Sequence, residues 1–362
     1  MRILVLHKYG TKTASYRHRI QQYLPTLEAA GFSCEVSPLL DDAYVESRFS
    51  TGRRSLWGAL KAVVRRLYAL ARVKRFDLVI VGVDLFPYCP AIFERALNLL
   101  GVPFIYDFDD PVFHYYDRHS SGLVRWALGG KVAEVSRRAE LVFAGSPYLL
   151  DYAARAGGAA EYMPTVIDLD RYALSPRLRV GPEEPFVIGW IGSPTTAAAY
   201  LPLVEPALRA FCAAHPARLV VIGAGSYEPR GIPFESHPWS EADEVAELCR
   251  CDVGLMPLSD DSWARGKCGF KLIQYMACGL PVVASPVGVN SHIVEEGVSG
   301  FLAADDGQWV RALTKLAEDP AAAARMGLAG RRRVESEFCV QRTAPRFLEG
   351  VRRAIAAPRR RP

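Results

Sequence analysis

Short runs of consecutive apolar residues alternate along the chain with longer stretches whose apolar positions recur every three or four residues. ILVLH (3–7), CEVSPL (34–39), DLVIVGVD (77–84), PFIYDF (103–108) and LVFAGS (141–146) are of the first kind. Runs this short and this evenly apolar predict strands covered on both faces, the signature of a parallel sheet with crossover helices. The stretches between them predict helices over Ser15 to Ala30, over Ser55 to Val73, around 90–100 and over 121–138. The pattern breaks over 161–185, where four prolines and no periodicity predict a linker. A second series follows. Strands are predicted at 186–193, 218–226, 233–238, 252–258, 281–285 and 300–303, with helices around 198–214, 240–249, 269–278 and 290–296. Helical segments at 305–317, 319–336 and 340–356 finish the chain.

The expected fold class is therefore α/β, with two doubly wound Rossmann-like domains facing an inter-domain cleft. The expected boundaries are 1–164, a linker 165–185, a second domain 186–339, and a helix at 340–362 that crosses back to the first and ends in a basic tail. Open parallel sheets bind ligands beyond the carboxyl ends of their strands, so the strand-end loops are where chemistry is sought.

Composition narrows the class. With 362 residues, half of them apolar and 23% charged, the chain is long enough for two cores and is not disordered. A net charge of +5, spread along the chain, is too small to predict nucleic-acid binding. No apolar run reaches the roughly 18–20 residues that span a bilayer. The start, MRILVLHKYG, turns polar at His7 too early for a signal peptide, and the eight cysteines are scattered without a CxxC pair. Both features lead us to expect a cytoplasmic, reduced protein.

Candidate chemistry lies at the glycine-rich strand ends of the second half. GWIGSPTT (189–196) turns through Gly192 and Ser193 into a helix, where backbone N–H groups and hydroxyls suit a phosphate. VIGAGS (221–226) is a second such end, with Gly223 at its turn. In RGKCGFKLIQYMACGLPVVASPVGVN (265–290), Arg265, Lys267 and Lys271 surround a Gly269–Phe270 turn entering a helix, a combination that suits a diphosphate. Gln274, one turn further on, could hydrogen-bond a pair of sugar hydroxyls. An amphipathic surface helix with solvated lysines explains the same residues.

FKLIQYMACGLPVVASPVG resembles the nucleotide-sugar-binding segment of family-4-type retaining glycosyltransferases of the GT-B fold. SHPWSEADEVAELCRCDVGLMPLSDDSWARGKCG resembles the stretch preceding it, and MPTVIDLDRY (163–172) resembles their domain-crossing motif. The resemblance implies a nucleoside-diphosphate sugar as co-substrate, with no cofactor and no metal. It places Gly269, Phe270 and Lys271 on the turn holding the distal phosphate and sugar. Of two family glutamates eight residues apart, the second falls on Gln274 and the first on Gly266, which has no carboxylate. Relatives carry an Arg and a Lys in and after the loop that is GSPTT here, so Arg265, Lys267 and Lys271 are expected to supply that charge instead.

In the first half the resemblance places Asp109 of PFIYDFDDPVFHYYD (103–117) on the position of a catalytic histidine. A carboxylate there could accept a hydrogen bond from the donor sugar and stabilise positive charge at the anomeric carbon. A metal site built from Asp107, Asp109 and Asp110, or a helix cap, are the alternatives. The loop after the first strand, with Gly10, corresponds to one that lies under the donor diphosphate, and Arg17 or Arg19 is the candidate contact for an anionic acceptor. Leu56, Leu60, Val63, Leu67 and Leu70 share one face of the helix at 55–73, ringed by cations from Arg53 to Arg75 and joined by Trp57. Either this face packs on the core, or it docks on an anionic membrane surface. The expected function is retaining transfer to a glycan, lipid-linked or small-molecule acceptor in cell-surface polysaccharide or glycoconjugate assembly. The alternative is a catalytically inactive nucleotide-sugar-binding subunit.

Overall fold

The computed structural model describes residues 1–44, 56–174 and 184–357. Arg53 and Arg54, much of the predicted linker and the last five residues of the basic tail lie outside these. The chain forms two compact units. The first comprises Met1–Thr165, Gly266–Cys268 and Thr343–Pro362, and the second Val166–Arg265 and Gly269–Arg342. The short stretch 266–268, inside the predicted second domain, thus groups with the first unit.

Each unit is built on a six-stranded, all-parallel sheet. In the first, β1 (Arg2–His7), β2 (Ser33–Val36), β3 (Leu78–Gly82), β4 (Phe104–Phe108), β5 (Leu141–Ala144) and β6 (Ala160–Tyr162) take the order β2-β1-β3-β4-β5-β6. In the second, β7 (Phe186–Ile191), β8 (Ala217–Ile222), β9 (Phe234–His237), β10 (Val253–Met256), β11 (Val282–Ala284) and β12 (Gly300–Leu302) take the order β12-β11-β10-β7-β8-β9. Strands β3, β4, β5, β7, β10 and β11 are buried throughout, because helices cover both faces of each sheet. Strand order reverses between β1 and β3 and between β7 and β10. Such switch points open a crevice at the strands' carboxyl ends.

The helices differ from the sequence pattern where prolines and glycines intervene. Ser15 to Ala30 is broken into Ala14–Arg19, a 3-10 turn Gln21–Tyr23, and Leu24–Ala29, whose first turn takes Pro25. The stretch 121–138 divides at Gly129–Gly130. A helix begins at Pro194 rather than near 198, and Pro202 starts the 3-10 turn that separates it from Glu205–Ala214. The pattern missed several elements altogether, among them the short helices His114–Asp117 and Ser262–Arg265. Ser146 caps a helix Pro147–Arg155, and β6 follows as an edge strand where a linker was expected. Three residues at a sheet edge are too few to show periodicity. Beyond β6 the chain stays buried through Ile167, so the proline-rich stretch begins as core.

Candidate functional site

In the second unit β7 ends at Ile191 and turns through Gly192 and Ser193. Ser193 caps the helix Pro194–Tyr200. Its Oγ accepts from the Thr196 N–H at 3.4 Å, and the Thr196 hydroxyl accepts from the Ser193 N–H at 3.0 Å. These groups of Ser193, expected to face a phosphate, are therefore engaged in a reciprocal cap that satisfies the helix's own first turn.

The cation of this turn comes from the helix Phe270–Ala277. Lys271 Nζ lies 4.3 Å from the centroid of the buried Trp190 ring. A Cβ on Gly192 would stand 2.9 Å from Nζ and 2.6 Å from Trp190 Cη2, so only glycine lets the ammonium approach the turn this closely. The aromatic face stabilises the ammonium by a cation–π contact. At the end of β8, Gly223 has φ +78°, and a Cβ there would meet the Gly192 carbonyl oxygen at 2.5 Å and Trp239 Cβ at 2.9 Å. The two glycine turns are therefore packed against each other. Gly269, with φ +69°, precedes Phe270 at the helix start without a side-chain cap. A Cβ on it would press on Val289 and Ile293, which fixes the turn's position.

Gln274 is buried, and its Nε2 donates to the Tyr172 hydroxyl at 3.1 Å. Tyr172 donates in turn to Glu244 Oε1 at 2.8 Å, and Trp239 Nε1 donates to Oε2 of the same carboxylate at 2.8 Å. Burial and the Glu244 charge hold the Tyr172 phenol well above its ordinary range, so it remains a donor. The expectation that Gln274 faces sugar hydroxyls is corrected to this extent: its carboxamide nitrogen anchors a buried polar chain. Sequence reasoning missed Tyr172, Glu244 and Trp239 as one cluster. The only signal was the aromatic that closes the MPTVIDLDRY motif.

Arg265 also departs from expectation. Its guanidinium binds Asp260 through both Nε (2.6 Å) and Nη2 (2.9 Å), so the charge offered to a diphosphate already has a carboxylate partner. Lys267 belongs to the stretch that groups with the first unit. At Gly266 in that stretch a Cβ would lie 2.5 Å from Pro111 Cβ, and the Gly266 carbonyl accepts from Ser146 Oγ at 3.2 Å. The space a carboxylate side chain would need is filled by the proline.

In the first unit the aspartates after β4 have separate environments. Asp107 is buried, with Oδ1 2.5 Å from Arg19 Nη2 and Oδ2 3.2 Å from Arg19 Nε. Arg19 Nη1 donates to the Met163 carbonyl. Arg19 is thus an internal strut whose charge is spent on Asp107, which corrects its expected role in holding an acceptor. Arg17 is also buried and donates to the Thr11 carbonyl at 3.3 Å, for the same reason: Tyr16 through Arg19 all lie inside the unit. Gly10 packs against Asp42, whose carboxylate accepts from the Thr11 hydroxyl (2.5 Å) and the Lys12 N–H (2.9 Å). The loop expected to lie under a phosphate thus wraps a carboxylate of its own.

Asp109 is 8% exposed and accepts from Ser15 Oγ at 3.0 Å. Burial and the neighbouring Asp110 raise its carboxyl to about 7, against the lowering pull of Arg19. A buried carboxyl raised in this way, at the carboxyl end of a central strand, is a candidate for chemistry. With both oxygens of Asp107 committed to Arg19, the aspartates do not converge as metal ligands. Among the described residues, no group of three metal-ligating side chains comes together.

Residues 185–319 match the family model "Glycosyl transferases group 1". The chain is 32% identical over 216 residues to the D-inositol 3-phosphate glycosyltransferase of Stackebrandtia nassauensis, covering 52% of this chain and 47% of that one. A stretch of 96 residues is 36% identical to alpha-maltose-1-phosphate synthase of Mycobacterium tuberculosis, covering 24% and 25% of the two chains. The chain spans about half the length, or less, of these curated relatives. Among solved structures, Anabaena HepE in complex with UDP superposes with a TM-score of 0.70 at 18% identity, over 97% of this chain and 100% of that one. Sucrose-phosphate synthase of Thermosynechococcus elongatus does so with a TM-score of 0.68 at 16% identity, over 99% and 100%.

Proposed function

We propose that the chain, which has the GT-B fold and matches the group 1 glycosyltransferase model over residues 185–319, is a member of that family and transfers a sugar, with retention, from a nucleoside-diphosphate sugar to a hydroxyl acceptor. A UDP-sugar is the first donor to test, since the HepE structures hold UDP and UDP-glucose. The observation that carries the reading is Lys271. Its ammonium rests on Trp190 beside Gly192, at the switch point between β7 and β10, and Lys271 itself follows Gly269 and Phe270 directly in the first turn of its helix. A diphosphate leaving group needs compensating charge at such a place.

In the reaction, the acceptor oxygen bonds to the anomeric carbon as the bond to the distal phosphate oxygen breaks. That phosphate oxygen takes the acceptor's proton, so no strong protein base is required. Asp109 is assigned to the donor sugar, bonding a hydroxyl and facing the positive charge that develops at carbon. Arg17 and Arg19 are assigned to supporting the first unit's loops from inside, where both are buried and bonded to Thr11 and Asp107. Acceptors to test include glycans, lipid-linked sugars and, from the curated relatives' names, D-inositol 3-phosphate.

A second reading has specific support. Gly266 carries no carboxylate and the Gln274 carboxamide nitrogen is given to Tyr172, which favours a nucleotide-sugar-binding subunit without turnover. A melting-temperature panel with UDP, GDP, ADP, TDP and CMP, with and without magnesium, tests the donor site. A ligand at about 100 times its Kd adds ~2.7 kcal/mol to stability. A shift with one diphosphate that Lys271→Ala abolishes supports the donor site, and no shift with any nucleotide overturns it. A magnesium requirement would revive a metal at the aspartates. Sugar transfer to any acceptor would exclude the binding-subunit reading.

A further inference from the structure

The helix Leu56–Ala71 lies on the first unit with most of its apolar face turned outward, the second of the two orientations that the sequence left open. Its small and basic residues turn inward: Ala62, Arg66 and Ala69 are buried, as is Val73 just beyond. Arg66 fills this side, donating to the His7 carbonyl at 2.6 Å. Apart from Leu70, which packs partly against the core, the large apolar residues from Trp57 onward turn outward. Trp57 is 70% exposed, Leu60 50%, Val64 58%, Leu67 44% and Tyr68 64%. At 100° per residue these five span about a quarter to a third of the helix circumference, so they form one continuous stripe over three turns. Scattered single apolar residues on a surface are ordinary; a stripe of this length and bulk is not.

The charges beside the stripe are all of one sign. Between Leu56 and Phe76 the chain has six cationic residues and no acidic one. Lys61 lies on the flank of the stripe, and Lys74 and Arg75 follow the helix; all three are exposed. Arg65 and Arg72, on the same flank, are tied back to Asp41 (2.7 Å) and Glu35 (3.0 Å), which sets the helix orientation on the unit. A protein partner would be met by mixed charge and shaped pockets. An outward apolar stripe with an aromatic at its start and a cationic flank fits an interface between acyl chains and anionic headgroups. Among the described residues, no helix is long and apolar enough to cross a membrane, so the attachment is in-plane.

We propose that this helix docks the protein on an anionic lipid surface, with Trp57, Leu60, Val64, Leu67 and Tyr68 entering the headgroup region and Lys61, Lys74 and Arg75 meeting lipid phosphates. The inference is independent of the donor-site reading, since it uses none of that site's residues.

The test is co-sedimentation of the full chain with vesicles of phosphatidylcholine alone and of phosphatidylcholine mixed with phosphatidylglycerol. The expected result is binding to the mixed vesicles that weakens with salt. Lys61→Glu should weaken it by at least about fivefold, the contribution of one cation near such a surface. The double variant Trp57→Glu and Leu67→Glu should abolish it while leaving the melting temperature unchanged, because both side chains are exposed. Trp57→Phe should bind normally but lose most of the tryptophan blue shift on binding. Three results would overturn the proposal: no sedimentation with mixed vesicles, binding that survives the double variant, or a vesicle-free dimer that the double variant dissociates.

Discussion

Replacing Asp109 by Asn should stabilise the protein, and by an amount that grows with pH. In the folded protein the Asp109 carboxyl is raised from its ordinary 3.8 to about 7 by burial and by Asp110. Between those two values the unfolded chain has released the proton and the folded chain still holds it. Stability therefore falls as pH rises through this window, by up to ~1.4 kcal/mol per pH unit, and levels above about 7. The full interval amounts to ~4 kcal/mol of destabilisation at pH 8, of which a little under half is already present at pH 5. Asn removes the ionisation and keeps an oxygen to accept from Ser15 Oγ. The gap between variant and parent should thus widen by ~2–3 kcal/mol from pH 5 to pH 8, or several degrees in the melting of a unit of this size. Thermal melts of both proteins across pH 5–9, with the nucleotide-induced shift recorded in parallel, measure it. A gap that stays flat with pH would refute the reasoning, because the buried carboxyl would then be ionising at its ordinary value. If Asp109 carries charge towards the donor sugar, turnover should rise through pH 7 in the parent and be lost in Asp109→Asn with nucleotide binding retained. A group that costs the fold stability and serves the reaction fits the usual trade between the two.

Three further outcomes follow from the same geometry. Lys271→Ala should weaken binding of the matching nucleoside diphosphate by about 10–150-fold, the loss of one charge-assisted contact of ~1.5–3 kcal/mol, read by calorimetric titration; unchanged affinity would remove Lys271 from the site. Gly192→Ala puts a methyl 2.6 Å from Trp190 Cη2 and 2.9 Å from Lys271 Nζ, so it should cost ~1–3 kcal/mol in denaturant melts and reduce the nucleotide-induced shift together. An unaffected shift would show that the ammonium's approach to the turn is dispensable. Arg19→Met strands the buried Asp107 carboxylate and should cost ~3–5 kcal/mol in urea unfolding, with much of it restored by adding Asp107→Asn; a double variant no more stable than the single would refute the pairing.

The sequence by itself determined the two sheets. Strands such as Leu78–Gly82, Phe104–Phe108 and Phe186–Ile191 are apolar at every position, which only burial on both faces permits, and helical periodicity between them forces parallel crossovers. It also marked the glycine turns, because Gly223 and Gly269 occupy backbone conformations that other residues rarely adopt. Tertiary structure decided what each side chain does there. Local pattern does not show that Arg19 is consumed by a carboxylate 88 residues away, that Arg265 is bound by Asp260, or that Gln274 leans on a tyrosine 102 residues before it. Periodicity placed an apolar stripe on the helix Leu56–Ala71 but left open which face turns inward. The answer came from Ala62, Ala69 and Arg66, whose small volumes and long donor reach let the helix lie close on the unit and sent the bulky residues out to solvent. Charge and shape are local properties of a sequence. The pairing of charges and the choice of buried face depend on distances across the fold, which only the packed chain fixes.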